Sequence, residues 1–130
     1  MYDDIIAYEL NFALDHGIGC LMDKNLPSDA PSVGYAGKFP MVHINTNWHE
    51  KDELPFIIAH EIGHVLLENG IYYHLAFLGK QRGEATANAF AIQLLLRYCQ
   101  DNDLYFDTYY NFAECFKIPK NQYYLFESIA

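Results

Sequence analysis

Two histidines and a glutamate in one short stretch of the chain have the types and spacing needed to bind a metal ion and activate water. The stretch reads His60-Glu61-Ile62-Gly63-His64. In an α-helix, residues four apart lie on one face, one turn apart, so both imidazoles can bind a single tetrahedral ion. Glu61 lies about 100° around the helix from His60, where it can take a proton from water without binding the metal. The pattern predicts two zinc ligands and one general base.

A hydrolytic zinc site needs a third protein ligand and one coordination position left for water. Glu68 continues the histidine row, but it lies about 12 Å along the helix from His60, too far to share one ion. Glu84 is favoured because it begins the next predicted helix, whose first turn would lie beside the zinc helix in an antiparallel pair. His74 is the alternative ligand. Asn88, one turn after Glu84, is predicted to orient a ligand through a hydrogen bond.

The developing oxyanion of a cleaved amide needs a further hydrogen-bond donor. Three residues that follow the zinc helix closely in sequence are candidates for this role: Tyr72, Tyr73 and His74.

Residues that are typical of helix ends mark both termini of the helix that carries the histidines. It runs from about Asp52 to Asn69, with Asp52 as a capping residue and Pro55 in the first turn. The body is strongly apolar, and Gly70 stands just past the end, where a helix commonly stops.

Further helices are predicted where apolar residues recur at helical spacing. They cover residues 2–16, 84–100 and, as two short packing helices, 104–126. Residues 26–31, with two prolines, are predicted to form a loop. Residues 71–78 are apolar without a clear period and receive no assignment.

Two short β-prone segments precede the zinc helix. Val33–Ala36 and Met41–Asn45 flank residues 37–40, which read as a hairpin or a sharp corner, with Val42 and Ile44 on one face. The second segment either offers a free edge to which an extended substrate adds or is paired within the protein. We therefore predict an α+β, mostly helical fold, with a small sheet or hairpin packed on the zinc helix.

Size and composition favour one folded domain over residues 1–130. The chain is 52% hydrophobic, which is ample for a core. A net charge of −9 repels phosphate backbones, so no direct binding of nucleic acid is expected. Three widely spaced cysteines form no Cys-x-x-Cys pair, the N-terminus is acidic, and no apolar run approaches the ~20 residues that span a bilayer. We expect a cytoplasmic protein with reduced thiols and no membrane association.

The chain resembles the ImmA/IrrE family of zinc metallopeptidases. The resemblance is carried by Phe56–Leu67, which contains the histidine pair, and by Glu84–Ala91, with support from Val33–Ala36 and Val42–Asn45. It covers about residues 30–100. Thr86 stands where many members have a second acidic residue, and the helix-turn-helix or longer C-terminal domain of other members has no counterpart in the chain.

The resemblance implies a minimal zincin fold that binds one Zn²⁺ per chain through two histidines and a glutamate from the following helix. It thereby implies that Glu84 is the third ligand, a gluzincin-like arrangement. Members of the family are found in bacteria, phages and integrative elements, where those similar to ImmA cleave a repressor. The implied function is limited proteolysis of a repressor or another transcriptional regulator, with that protein as the partner.

The alternative function is a binding module that contains a metal but does not hydrolyse. Such a module would sequester a regulator on its acidic and aromatic surface without cutting it. Glu61 argues against this, because a structural site has no need of a general base.

Overall fold

The computed structural model describes residues 2–69 and 84–126, and of Glu84 and Ala85 it describes the backbone only. Residues 70–83 lie outside this description, and they include the segment 71–78, to which the sequence pattern assigns no element. The described helices and strands are, in chain order, α1 (Tyr2–Asp15), β1 (Gly19–Asp23), β2 (Val33–Tyr35), β3 (Met41–Asn45), α2 (Leu54–Glu68), α3 (Glu84–Asp101) and α4 (Tyr109–Cys115). Short 3₁₀ helices cover Lys51–Glu53 and Lys120–Leu125.

The strands form a mixed sheet in the order β1-β3-β2. β2 and β3 pair antiparallel, with Gly34 opposite Val42, which confirms the predicted hairpin. β1 pairs with β3 in parallel, with Leu21 opposite His43. Sequence reasoning did not predict β1, because its residues are half-buried or exposed and show no alternation of apolar and polar types.

The possibility that β3 offers a free edge to a substrate is wrong. β3 is the middle strand, and both of its edges are paired, one with β1 and one with β2. Its alternation is as predicted, since Val42 and Ile44 are 0% exposed. Asn45 is also fully buried. Its amide group donates to the carbonyls of Pro27 at 2.8 Å and Ala30 at 2.7 Å, and these bonds offset the cost of burying it. The predicted loop over residues 26–31 is thereby tied to the sheet.

The helix α1 ends where the sequence predicted. Gly17 has φ of +76°, a backbone conformation that favours glycine, and the amide of Ile18 donates to the carbonyl of Ala13 at 2.8 Å. This closure turns the chain directly into β1.

The beginning of α2 differs from the prediction. Asp52 does not cap the helix; it lies in the 3₁₀ helix that precedes α2, and Glu53 occupies the cap position without a side-chain capping bond. Pro55 in the first turn has no N–H, so one of the donors that a cap would satisfy is missing. Glu53 instead accepts a hydrogen bond from the indole of Trp48 at 2.9 Å.

The core lies where α2 packs against the sheet on one side and against α3 on another. The α2 residues Ile58, Ala59 and Ile62 are 0% exposed. Burial of an isoleucine or leucine side chain contributes about 1.5–3 kcal/mol, so these contacts fix α2 firmly in the fold. The apolar residues that recur at helical spacing along α3 are all buried: Ala87, Ala91, Leu94, Leu95 and Tyr98.

The expected α+β, mostly helical fold is thus confirmed, with α4 and the last 3₁₀ helix as the two short packing helices. Among the helices of the described ranges, none combines the length and apolar character that crossing a bilayer requires.

Glu9 on α1 is a carboxylic acid enclosed by the apolar interior. It is 0% exposed, and neither of its carboxyl oxygens has a hydrogen-bond partner within residues 2–69 and 84–126. Burial raises the pKa of Glu9 well above its ordinary value of 4.5, because the charged form loses its hydration. The folded chain therefore keeps this proton at pH values where the unfolded chain has released it.

We expect stability to fall as the pH rises above about 4.5, and Glu9→Leu to remove this fall. Below that pH both states hold the proton, and Glu9 contributes no pH dependence. Above it, unfolding is favoured by up to about 1.4 kcal/mol per pH unit until the folded pKa is reached. Urea unfolding of wild type and Glu9→Leu between about pH 5 and pH 8 measures the difference. Equal pH slopes for the two proteins would contradict a protonated Glu9.

Candidate metal centre

The side chains of His60, Glu61 and His64 converge on one side of α2. Each offers a nitrogen or oxygen atom, and these atoms lie within 4.8 Å of one another. The two imidazole rings are 4.5 Å apart between centroids and nearly perpendicular, at 84°. The two half-buried imidazoles are ligands that suit zinc, and a half-buried carboxylate lies beside them.

His60 is oriented by Asn88 on α3. The Nδ1 atom of His60 lies 2.6 Å from Oδ1 of Asn88, which is 6% exposed. An amide oxygen can only accept, so Nδ1 carries the hydrogen and Nε2 presents its lone pair for a metal. The predicted role of Asn88 requires such a contact, and that His60 binds a metal stays a prediction.

Glu61 is held by the backbone of the neighbouring strand. Its Oε1 accepts a hydrogen bond from the amide of Gly34 on β2 at 3.1 Å. Its Oε2 lies on the histidine side, 3.9 Å from Nε2 of His60. One carboxylate oxygen therefore anchors the side chain to β2, while the other lies on the side of His60.

Gly34 is required for the close approach of β2 to α2. A Cβ at this position would lie 2.8 Å from the carbonyl oxygen of Glu61 and 2.9 Å from Cγ2 of Val65. Sequence reasoning did not assign this role to Gly34. An isolated glycine within a strand pattern often marks such an approach, and that rule would have found it.

We expect Gly34→Ala to destabilise the protein by about 1–3 kcal/mol, because the added methyl group forces β2 away from α2. The displacement also lengthens the hydrogen bond from the Gly34 amide to the Glu61 carboxylate. The rate of the hydrolysis predicted from the sequence should therefore fall by more than the loss of folded protein explains. Urea unfolding and cleavage rates at a temperature where both proteins are folded measure the two effects. Gly19→Ala is the control, since the nearest atom to its Cβ is 3.9 Å away. Unfolding midpoints that match for the two variants would contradict the close approach.

The third predicted ligand is placed by its backbone alone. Glu84 is the first residue of α3, one turn before Asn88, on the helix that packs most extensively against α2. Its side chain lies outside the description, so its role stays a prediction. The predicted oxyanion donors Tyr72 and Tyr73 and the alternative ligand His74 lie in residues 70–83, also outside it.

A cavity of about 310 Å³ opens beside His60 and Glu61. Its lining includes Trp48, Phe56 and Ile57, none of which the sequence analysis assigned to the site. Trp48 is the single tryptophan of the chain and follows β3 closely, but its position next to α2 depends on how the loop after β3 folds.

Comparison with known protein families finds a family model that matches most of the chain. Residues 16–124 match the family model described as the IrrE N-terminal-like domain, a peptidase family. The match spans the sheet, the histidine motif on α2 and the Glu84–Asn88 turn of α3. Comparisons with curated proteins and with solved structures find no match.

Proposed function

The chain belongs to the IrrE N-terminal-like peptidase family, and from this premise we propose that it is a zinc-dependent endopeptidase that cleaves a regulatory protein by limited proteolysis. Family membership supports a metallopeptidase acting on protein. The finer proposal is that the substrate is a repressor encoded by a phage or mobile element and that the reaction relieves repression in the cytoplasm.

The convergence of His60, Glu61 and His64 carries this proposal. The zinc ion would be bound by the two histidines together with Glu84, one ion per chain, with Asn88 holding His60. When bound, the metal would supply a Lewis acid that acidifies water and polarises the peptide carbonyl. The proposed third ligand is supported by the position of Glu84 on α3, one turn before a residue that already contacts His60.

Glu61 performs the proton transfers in this proposal. Its Oε1 is anchored by Gly34, so Oε2 takes a proton from water as the water oxygen bonds to the carbonyl carbon. The same carboxyl then gives that proton to the amide nitrogen as the C–N bond breaks. One water is consumed, and a carboxylic acid and an amine are released.

The proposal is tested by mixing the purified, zinc-loaded protein with repressor proteins encoded by genes next to its own. We expect chelator-sensitive cleavage at one or a few bonds, with fragments identified by mass spectrometry. A stable complex without fragments would instead identify the protein as the non-hydrolytic binding module. If no neighbouring regulator is cleaved or bound, the proposal that the substrate is a repressor is contradicted.

A further inference from the structure

The cavity beside the histidines extends the site beyond the residues that the chemistry needs. Phe56 and Ile57, one turn before His60 on α2, form one wall, and Trp48 from the loop after β3 forms another. His60 and Glu61 belong to the same lining, so the cavity opens directly onto the place where a peptide bond would be cut.

Two polar groups in the lining, those of Trp48 and Ser32, already take part in hydrogen bonds. The indole N–H of Trp48 donates to Glu53 at 2.9 Å, and the hydroxyl of Ser32 accepts from the backbone amide of Asn45 at 2.9 Å. Glu53 and Lys117 line the cavity with opposite charges, and the Glu61 carboxylate lines it beside His60. The remaining walls are mainly apolar carbon surface.

Two parts of the cavity wall are tied to the rest of the fold. Asn45 is 0% exposed and binds the carbonyls of Pro27 and Ala30, which holds the loop that ends in Pro31 and Ser32 against the sheet. Phe56 is 7% exposed and packs in the core. A cavity with fixed walls can select among side chains by size, because it does not collapse around a smaller one.

We propose that this cavity binds the side chain of the substrate residue beside the cleaved bond and selects a large apolar residue such as Leu, Met or Phe. The inference rests on the proposed peptidase function and adds the substrate class. A volume of about 310 Å³ is at the lower end for ligand pockets, which suits one side chain. Trp48, Phe56 and Ile57 are thereby specificity-determining residues.

Binding is tested without catalysis through the fluorescence of Trp48, the single tryptophan. The metal-free protein is titrated with N-acetyl amino-acid amides that carry Leu, Phe, Gly or Asp side chains. We expect Leu and Phe to shift the emission and to protect Trp48 from quenching by acrylamide, whereas Gly and Asp leave both unchanged. The same response to all four compounds, or none to any, would overturn the proposal.

Ile57→Phe and Leu96→Phe form a matched pair of variants. Both residues are half-buried on helices and line a cavity, but Leu96 lines a different one, between α3 and the segment before α4. Ile57→Phe fills the proposed site, so it should abolish the Trp48 response to the Phe compound. Leu96→Phe should retain it. Loss of the response in both variants, or in neither, would contradict the assignment.

Cleavage of a peptide mixture by the zinc-loaded protein separates this inference from the function on which it rests. We expect a preference of about 10-fold or more for large apolar residues on one side of the cleaved bond, moving to smaller residues in Ile57→Phe. Cleavage without such a preference, and without a Trp48 response, overturns the cavity assignment alone. If Trp48 responds to the Leu and Phe compounds but no peptide is cut, the proposed peptidase function is contradicted, and with it the role of the cavity in substrate selection.

Discussion

Replacement of Glu61 by Gln is expected to lower the rate of peptide cleavage by about 10² to 10⁴-fold, the range that loss of a general base produces. The amide is nearly the same size and can still contact Gly34, so the fold and the zinc content should stay unchanged. What disappears is the group that takes the proton from water. Single-turnover cleavage assays and elemental analysis of the same preparation measure the two quantities.

Glu68→Gln provides the control for this experiment. Glu68 is on the same helix, is exposed, and lies one turn beyond His64. The same change of charge at that position should leave cleavage within a small factor of wild type. Turnover by Glu61→Gln at the wild-type rate would remove Glu61 from its proposed role, whatever the metal content.

Replacement of His60 by Ala is expected to abolish stoichiometric zinc binding and all cleavage. Zinc sites of this kind depend on three protein ligands, and the variant loses one of them, the imidazole that contacts Asn88. Wild type at a zinc concentration 100 times its Kd should gain about 2.7 kcal/mol of stability over the metal-free form. The variant should gain nothing, as measured by urea unfolding with and without zinc.

His49→Ala is the matched control for the histidine change. His49 is exposed, its Nδ1 contacts the carbonyl of Ser28 at 2.9 Å, and it lies outside the group formed by His60, Glu61 and His64. This variant should bind zinc as wild type does. Full zinc content in His60→Ala would show that the ligand assignment is wrong.

Measurement of zinc content also decides between Glu84 and His74, the two candidates for the third ligand. Glu84→Ala should lose zinc, and His74→Ala should retain it. The reverse result would transfer the role to His74 and leave Glu84 as an ordinary first-turn acid of α3.

The parts of this protein that sequence reasoning predicted are those specified by local spacing. The period of apolar residues placed α2 and α3 within a few residues, and the four-residue interval placed His60 and His64 on one face. The contact of Asn88 with His60 follows from the same spacing, because an amide one turn into the next helix can reach a side chain of the first. Each of these predictions needed one helix, or two helices in contact, and nothing more distant.

The missed features depend on contacts between segments far apart in the chain. β1 is a strand because β3 offers it a partner, and no alternation in Gly19–Asp23 indicates that partner. The bond from Gly34 to Glu61 joins residues 27 apart, and the contact of Trp48 with the site depends on its bond to Glu53. Such pairings are set by the packing of the whole domain, so the sequence pattern of one segment does not specify them.

The position of β3 between its two neighbours has a consequence for biosynthesis. The chain leaves the ribosome from its N-terminus, so β1 emerges before the strand with which it pairs, and residues 24–40 must be translated in between. At about 5–20 residues per second this delay is about one to three seconds. During that time the nascent chain carries Gly19–Asp23 without its partner Met41–Asn45, and a pause in translation before this partner would extend the exposure of β1 to chaperones.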